Sequence, residues 1–162
     1  MHLESSIPFM FRHAWIFFIM VTCINGGIWW RRAQSKIAED PTLEKGYRFL
    51  IRSWLIYGNL PWIVMGVGVL CGAVPSTLHY LNPRNGPFVI LFYATVVLLW
   101  ILTFHWLFFR RGAEALLAHP GILDIPIKHP WAVKLWFLFC LAGGVVGLLF
   151  MIFADIQVPY LR

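Results

Sequence analysis

LWFLFCLAGGVVGLLFMIFA, residues 135–154, contains no Asp, Glu, Lys or Arg. At about 1.5 Å per residue a helix of this length covers some 30 Å, the thickness of a bilayer's hydrocarbon core. Three more uncharged runs stand upstream, at residues 14–30, 53–83 and 85–109. Together they predict an all-α integral membrane protein, a four-helix transmembrane bundle with spans near 11–30, 53–74, 88–109 and 131–153. The chain is 60% hydrophobic and 12% charged, where a soluble domain averages about 25% charged. What lies between the spans is too short for a second folded unit, so residues 1–162 read as a single transmembrane domain.

The net charge of +6 does not indicate nucleic acid as a partner, because the basic residues flank spans instead of forming a patch with stacking aromatics. They indicate topology. Arg31, Arg32, Lys36, Lys45, Arg48 and Arg52 surround the first connection, and Arg110, Arg111, Lys128 and Lys134 the third, against Arg12, Arg84 and Arg162 elsewhere. Lys and Arg in short loops mark the cytoplasmic side. Connections one and three are therefore expected in the cytoplasm and both termini outside, with a bacterial inner membrane as the default location. The start of the chain lacks the basic segment of a cleavable signal, and Arg31 and Arg32 follow the first apolar run, so that run is expected to be retained.

The first span is expected to continue as a cytoplasmic helix through RRAQSKIAE, residues 31–39. Asp40-Pro41 should stop it and start the next helix, since Asp caps well and Pro suits the first helical position. Residues 42–52 then form an amphipathic lead-in with Leu43, Tyr47, Leu50 and Ile51 on one face. Pro61 is expected to kink span two, because it offers no N–H to the Tyr57 carbonyl. The outer connection is rich in turn formers, with Pro83, Asn85-Gly86 and Pro87. A short helix is expected over residues 113–118 in the third connection, before Pro120, Pro126 and Pro130.

Lipid is as apolar as leucine, so close backbone approach and polar contacts must hold the spans together. Gly68/Gly72 and Gly143/Gly147 repeat at a spacing of four, which places each pair on one helix face. They are expected to pack against each other or against nearby helices.

Helical rise places Asn25 about 8 Å, Asn59 about 9 Å and His105 about 6 Å from the cytoplasmic span ends. Thr22, Tyr57 and Thr103 fall in the same slab, as does Cys140. The layer reads either as interhelical glue or as a small pocket for a quinone headgroup, a lipid headgroup or a proton. His105 would exchange the proton, with an ordinary pKa of about 6.5. A b-type haem needs an axial His; a two-His site would pair His105 with His119 or His129, or His13 with His79, and no spacing demands either. No cofactor and no metal are expected, and haem b stands only as an alternative.

The seven acids all lie at or outside span boundaries, which argues against a stand-alone proton-coupled transporter. Cys23, Cys71 and Cys140 sit in different spans with no metal or redox spacing. No phosphate loop, zinc motif or nucleophile elbow is present. The leading expectation is therefore a small, non-catalytic scaffold or accessory subunit in the lipid bilayer, beside a protein partner or a further copy of itself. The alternatives are a haem- or quinone-linked redox subunit using the polar layer, and a small-solute or lipid carrier using the Pro61 kink.

Overall fold

A computed structural model describes residues 6–123 and 127–154, with side chains from Phe9 onward. Arg162, Pro126, Glu4, Asp124 and Asp155 lie outside the described residues. Among the described residues six α-helices follow in order: α1 (Ser6–Arg12), α2 (Ala14–Glu39), α3 (Glu44–Leu70), α4 (Pro87–Phe109), α5 (Gly112–Leu117) and α6 (Pro130–Ala154). Two 3-10 turns, Pro41–Leu43 and Thr77–Leu81, join them, and no strand occurs among the described residues. The architecture is all-α, and α2, the stretch Pro41–Leu70, α4 and α6 are long and apolar enough to cross a membrane.

Local chemistry sets the boundaries. The charged extension to Glu39 is continuous with α2, and the amphipathic lead-in is continuous with α3. Between them the Asp40 carboxylate accepts from the Thr42 hydroxyl at 2.7 Å and its backbone N–H at 3.0 Å, with Pro41 opening the turn. Those two bonds hold the Asp40 carboxyl below the usual carboxylate range. At the far end of α3, Gly72 adopts φ +71, and Val74 donates back to the Gly68 carbonyl at 3.0 Å. The helix thus stops at Leu70, four residues before the expected end of span two, because the left-handed glycine redirects the chain.

The tightest packing joins α2 to α3, antiparallel. Trp15 lies over Gly66, Thr22 faces Gly58, and Leu55 fills the space beside Gly26. A Cβ on Gly66 or Gly26 would come within 2.7 Å of its neighbour, so each glycine sets how closely the helices approach. Next, α3 packs on α4 through Met65, Val69, Val89 and Phe92, with Tyr80 reaching in from the 3-10 turn to donate to the Met65 carbonyl at 3.2 Å. Burial pushes the Tyr80 phenol up from its ordinary pKa.

Connections one and three share one end of the bundle, the end that carries ten of the thirteen Lys and Arg residues. There Ala33 of α2, with Tyr47, Leu50 and Ile51 of α3, buries Ile122 from the segment after α5. A second cluster joins Leu107 of α4, Ala113 of α5 and Val133 of α6. At the opposite end Thr77 donates to the Arg12 carbonyl at 3.1 Å, and Arg84 donates to the Ile152 carbonyl at 3.3 Å.

The glycine spacing is realised differently from the expectation. Gly68 does pack, against Tyr80 and Phe88, but Gly72 lies in the turn beyond α3 with nothing near its would-be Cβ. Gly143 and Gly147 are likewise open, and Gly144 is the glycine in contact, with Trp100 of α4 2.7 Å from its would-be Cβ. The reason is rotational. Val133 fixes the inward face of α6, and positions 137, 144 and 151 continue that face at helical spacing.

Candidate functional site

The polar layer is divided between helix faces. Thr22 and Asn59 lie in the α2–α3 interface, both buried. Thr22 donates to the Phe18 carbonyl one turn back at 2.9 Å. The Asn59 amide donates to the Leu55 carbonyl at 2.8 Å and points toward the Cys23 sulfur at 3.8 Å. Its Oδ1 is buried without a partner. Pro61, one half-turn on, is buried inside the continuous helix α3. Asn59 therefore bonds the carbonyl of Leu55 and not that of Tyr57, the carbonyl to which Pro61 offers no N–H.

Asn25 is half-buried on α2. Tyr57 is 53% exposed, and Thr103 and His105 are exposed on α4. The His105 ring lies against Phe109 of its own helix, 5.6 Å between centroids. The fold brings Thr22 and Asn59 together in one interface and turns Tyr57, Thr103 and His105 outward.

Two other histidines have local engagements. His79 Nδ1 pairs with the Ser76 hydroxyl at 2.9 Å. His119 Nδ1 donates to the Ala115 carbonyl at 2.7 Å, and its ring stands edge-on to Tyr47 over Gly46. Among the described residues no three His, Cys, Asp or Glu side chains converge as a metal-binding group.

Two features lie outside the polar layer. One is the docking of the third connection onto α3, where Tyr47 donates to the Pro120 carbonyl at 2.7 Å. Tyr47 already falls on the apolar face of the lead-in, which is the trace it leaves in the sequence. The other is an apolar groove of about 190 Å³ between α4 and α6, lined by Val97, Trp100, Ile101, Phe104 and Leu141. Its only trace is the stripe of large side chains at 97, 100, 101 and 104, one face of a helix.

Four such apolar helices, joined by short connections, are compatible with a multi-pass membrane protein. The chain matches no family model, and no curated protein or solved structure shows significant similarity to it.

Proposed function

We propose that this protein is a non-catalytic membrane scaffold or accessory subunit that packs beside a protein partner or a further copy of itself. The observation that carries this reading is the unequal packing of the four long helices. Helix α3 buries nine of its residues, whereas Val133 alone is buried along the 25 residues of α6. Gly143 and Gly147 lie open on α6. Small residues on an exposed span permit the close backbone approach that drives helix association in lipid. In this reading the basic end lies in the cytoplasm and both termini outside, supported by the ten-to-three division of Lys and Arg.

A photo-crosslinking residue at position 146, between the two open glycines, tests the proposal in native membranes. The expected result is one discrete adduct of higher mass, weakened by Gly143→Leu or Gly147→Leu. A smear of lipid adducts alone, or substrate turnover by the purified chain, overturns it.

A second reading, a quinone-linked redox subunit, is favoured by one observation, the unpartnered Oδ1 of the buried Asn59. A quinol hydroxyl is a donor that such an oxygen would accept. Quinone binding lost in Asn59→Leu supports this reading, and unchanged binding removes it. An absorption spectrum of the purified protein with a flat Soret region ends the haem version.

A further inference from the structure

The groove between α4 and α6 exists because the two helices touch at separated points. They meet at the basic end through Leu107 and Val133, and again where Trp100 covers Gly144. Nearer the opposite end, the Tyr93 hydroxyl lies 3.0 Å from the Met151 sulfur. Alongside these contacts the helices leave an open channel of about 190 Å³ walled by Val97, Trp100, Ile101, Phe104 and Leu141, all apolar. Positions 97 to 104 span about 10 Å along α4, much of one leaflet's roughly 15 Å of hydrocarbon.

The end of this channel toward the basic rim carries a fixed cation. Phe104 stacks on Phe108 with centroids 4.3 Å apart, and the Lys134 ammonium sits 5.6 Å from the Phe108 centroid. Lys134 and Leu141 are seven residues apart on α6, about 20° from alignment and about 10 Å along the axis. The same flank of α6 therefore presents a hydrocarbon wall and, two turns away, a positive charge. Gly143 and Gly147 lie on the other flank of Gly144, so this channel and the open glycines are separate surfaces.

We propose that the α4–α6 groove seats one acyl chain of an anionic phospholipid, with its phosphate at Lys134. An acyl chain matches the wall, which offers no polar partner. A headgroup of net negative charge matches Lys134, which is held at the groove's mouth by the Phe108 ring. This site stands independently of the scaffold reading.

The test is native mass spectrometry of the delipidated full chain in detergent, titrated with phosphatidylglycerol or phosphatidylcholine of identical chains. Wild type is expected to take up one phosphatidylglycerol with a preference of about fivefold, the worth of one lysine near an anionic surface. Lys134→Gln should bring the two lipids to parity, and Leu141→Trp, which fills the channel, should remove the tight adduct for both. Ile101→Trp fills it from the other helix and serves if Leu141→Trp loses helicity. Arg12→Gln, at the opposite end, should behave as wild type. Retention of the preference in Lys134→Gln overturns the proposal. So does retention of the adduct in both filling variants, or a dimer that occupies the groove and dissolves when it is filled.

Discussion

The Tyr47 hydroxyl donates to the Pro120 carbonyl across 2.7 Å, tying the start of α3 to a segment 73 residues later in the chain. Tyr47 is fully buried, and the ring of His119 stands edge-on to it at 4.8 Å. Tyr47→Phe keeps the ring and removes the donor, leaving the Pro120 carbonyl without it. The expected loss is about 1–3 kcal/mol. Thermal unfolding in detergent measures it, and protease cleavage near 118–123 should quicken in parallel. An unchanged melting temperature would mean that the third connection is held by the apolar contacts of Ile122 alone.

Gly144 and its neighbours separate a packing glycine from open ones. Gly144→Leu drives a side chain into the Trp100 indole and should destabilise the fold by about 1–3 kcal/mol, the usual cost of overpacking. A Cβ at Gly143 or Gly147 meets nothing within 4 Å, so Gly143→Leu and Gly147→Leu should leave the isolated chain as stable as wild type or slightly more so. Melting temperatures of the three variants decide the matter. Equal losses would mean that α6 is rotated from the position described.

That contrast marks where the sequence is legible and where it is not. The long helices are read from the absence of charge, a one-dimensional property that lipid enforces directly. The Asp40-Pro41 stop is equally local, since cap and turn lie within three residues. The inward face of each span is harder to read. In water a helix shows an apolar stripe, but in lipid both faces are apolar and the stripe disappears. Residues 85–109 therefore give no warning that His105 turns outward while Leu107 is buried. Depth, computed from rise alone, groups Thr22, Asn59 and His105. Rotation, fixed by contacts such as Val133 on Leu107, separates them.

Asn59 distinguishes adhesion from a ligand site. Its amide makes one bond within its own helix and leaves Oδ1 unpartnered at 7% exposure. Asn59→Leu removes that bond together with an unsatisfied acceptor, so its effect on stability should stay within about 1 kcal/mol. Asn59→Asp puts a carboxylate in the same buried place and should cost about 3 kcal/mol at neutral pH. The two melting temperatures, measured together, test the geometry. A large loss in Asn59→Leu would show that Oδ1 does have a partner in the folded protein.

Asp40 gives the first turn of the α2–α3 hairpin a pH dependence with a definite sign. Its folded pKa is lowered by the Thr42 hydroxyl and then by the Thr42 N–H. The charged cap therefore stabilises the fold fully above the unfolded carboxylate value of about 3.9 and loses that contribution as pH falls through the lowered folded value. Asp40→Asn keeps an acceptor that does not titrate. The difference in melting temperature between wild type and Asp40→Asn should be flat from pH 7 to about 5 and shift against wild type at more acidic pH. A difference that stays constant down to pH 2 would show that the cap does not form.

Which connections share an end of the bundle follows from two facts about the fold. The Pro41–Leu43 turn and the segment after α5 share the basic end, because Tyr47 and Ile122 pack together there, while the connection holding Asn85 lies beside the opposite ends of α1 and α6. If this end faces the cytoplasm, as the distribution of Lys and Arg predicts, Lys36→Cys and Lys128→Cys should react with an impermeant maleimide only after the membrane is opened. Asn85→Cys should react in intact cells. Cys23, Cys71 and Cys140 are first replaced by Ser or Ala so that the introduced thiol alone reports. Reaction of positions 36 and 128 in intact cells, with 85 protected, would keep the fold and reverse its orientation. Reaction of 36 and 128 from opposite sides is incompatible with the packing of Ile122 against Tyr47, and would remove the architecture along with the orientation.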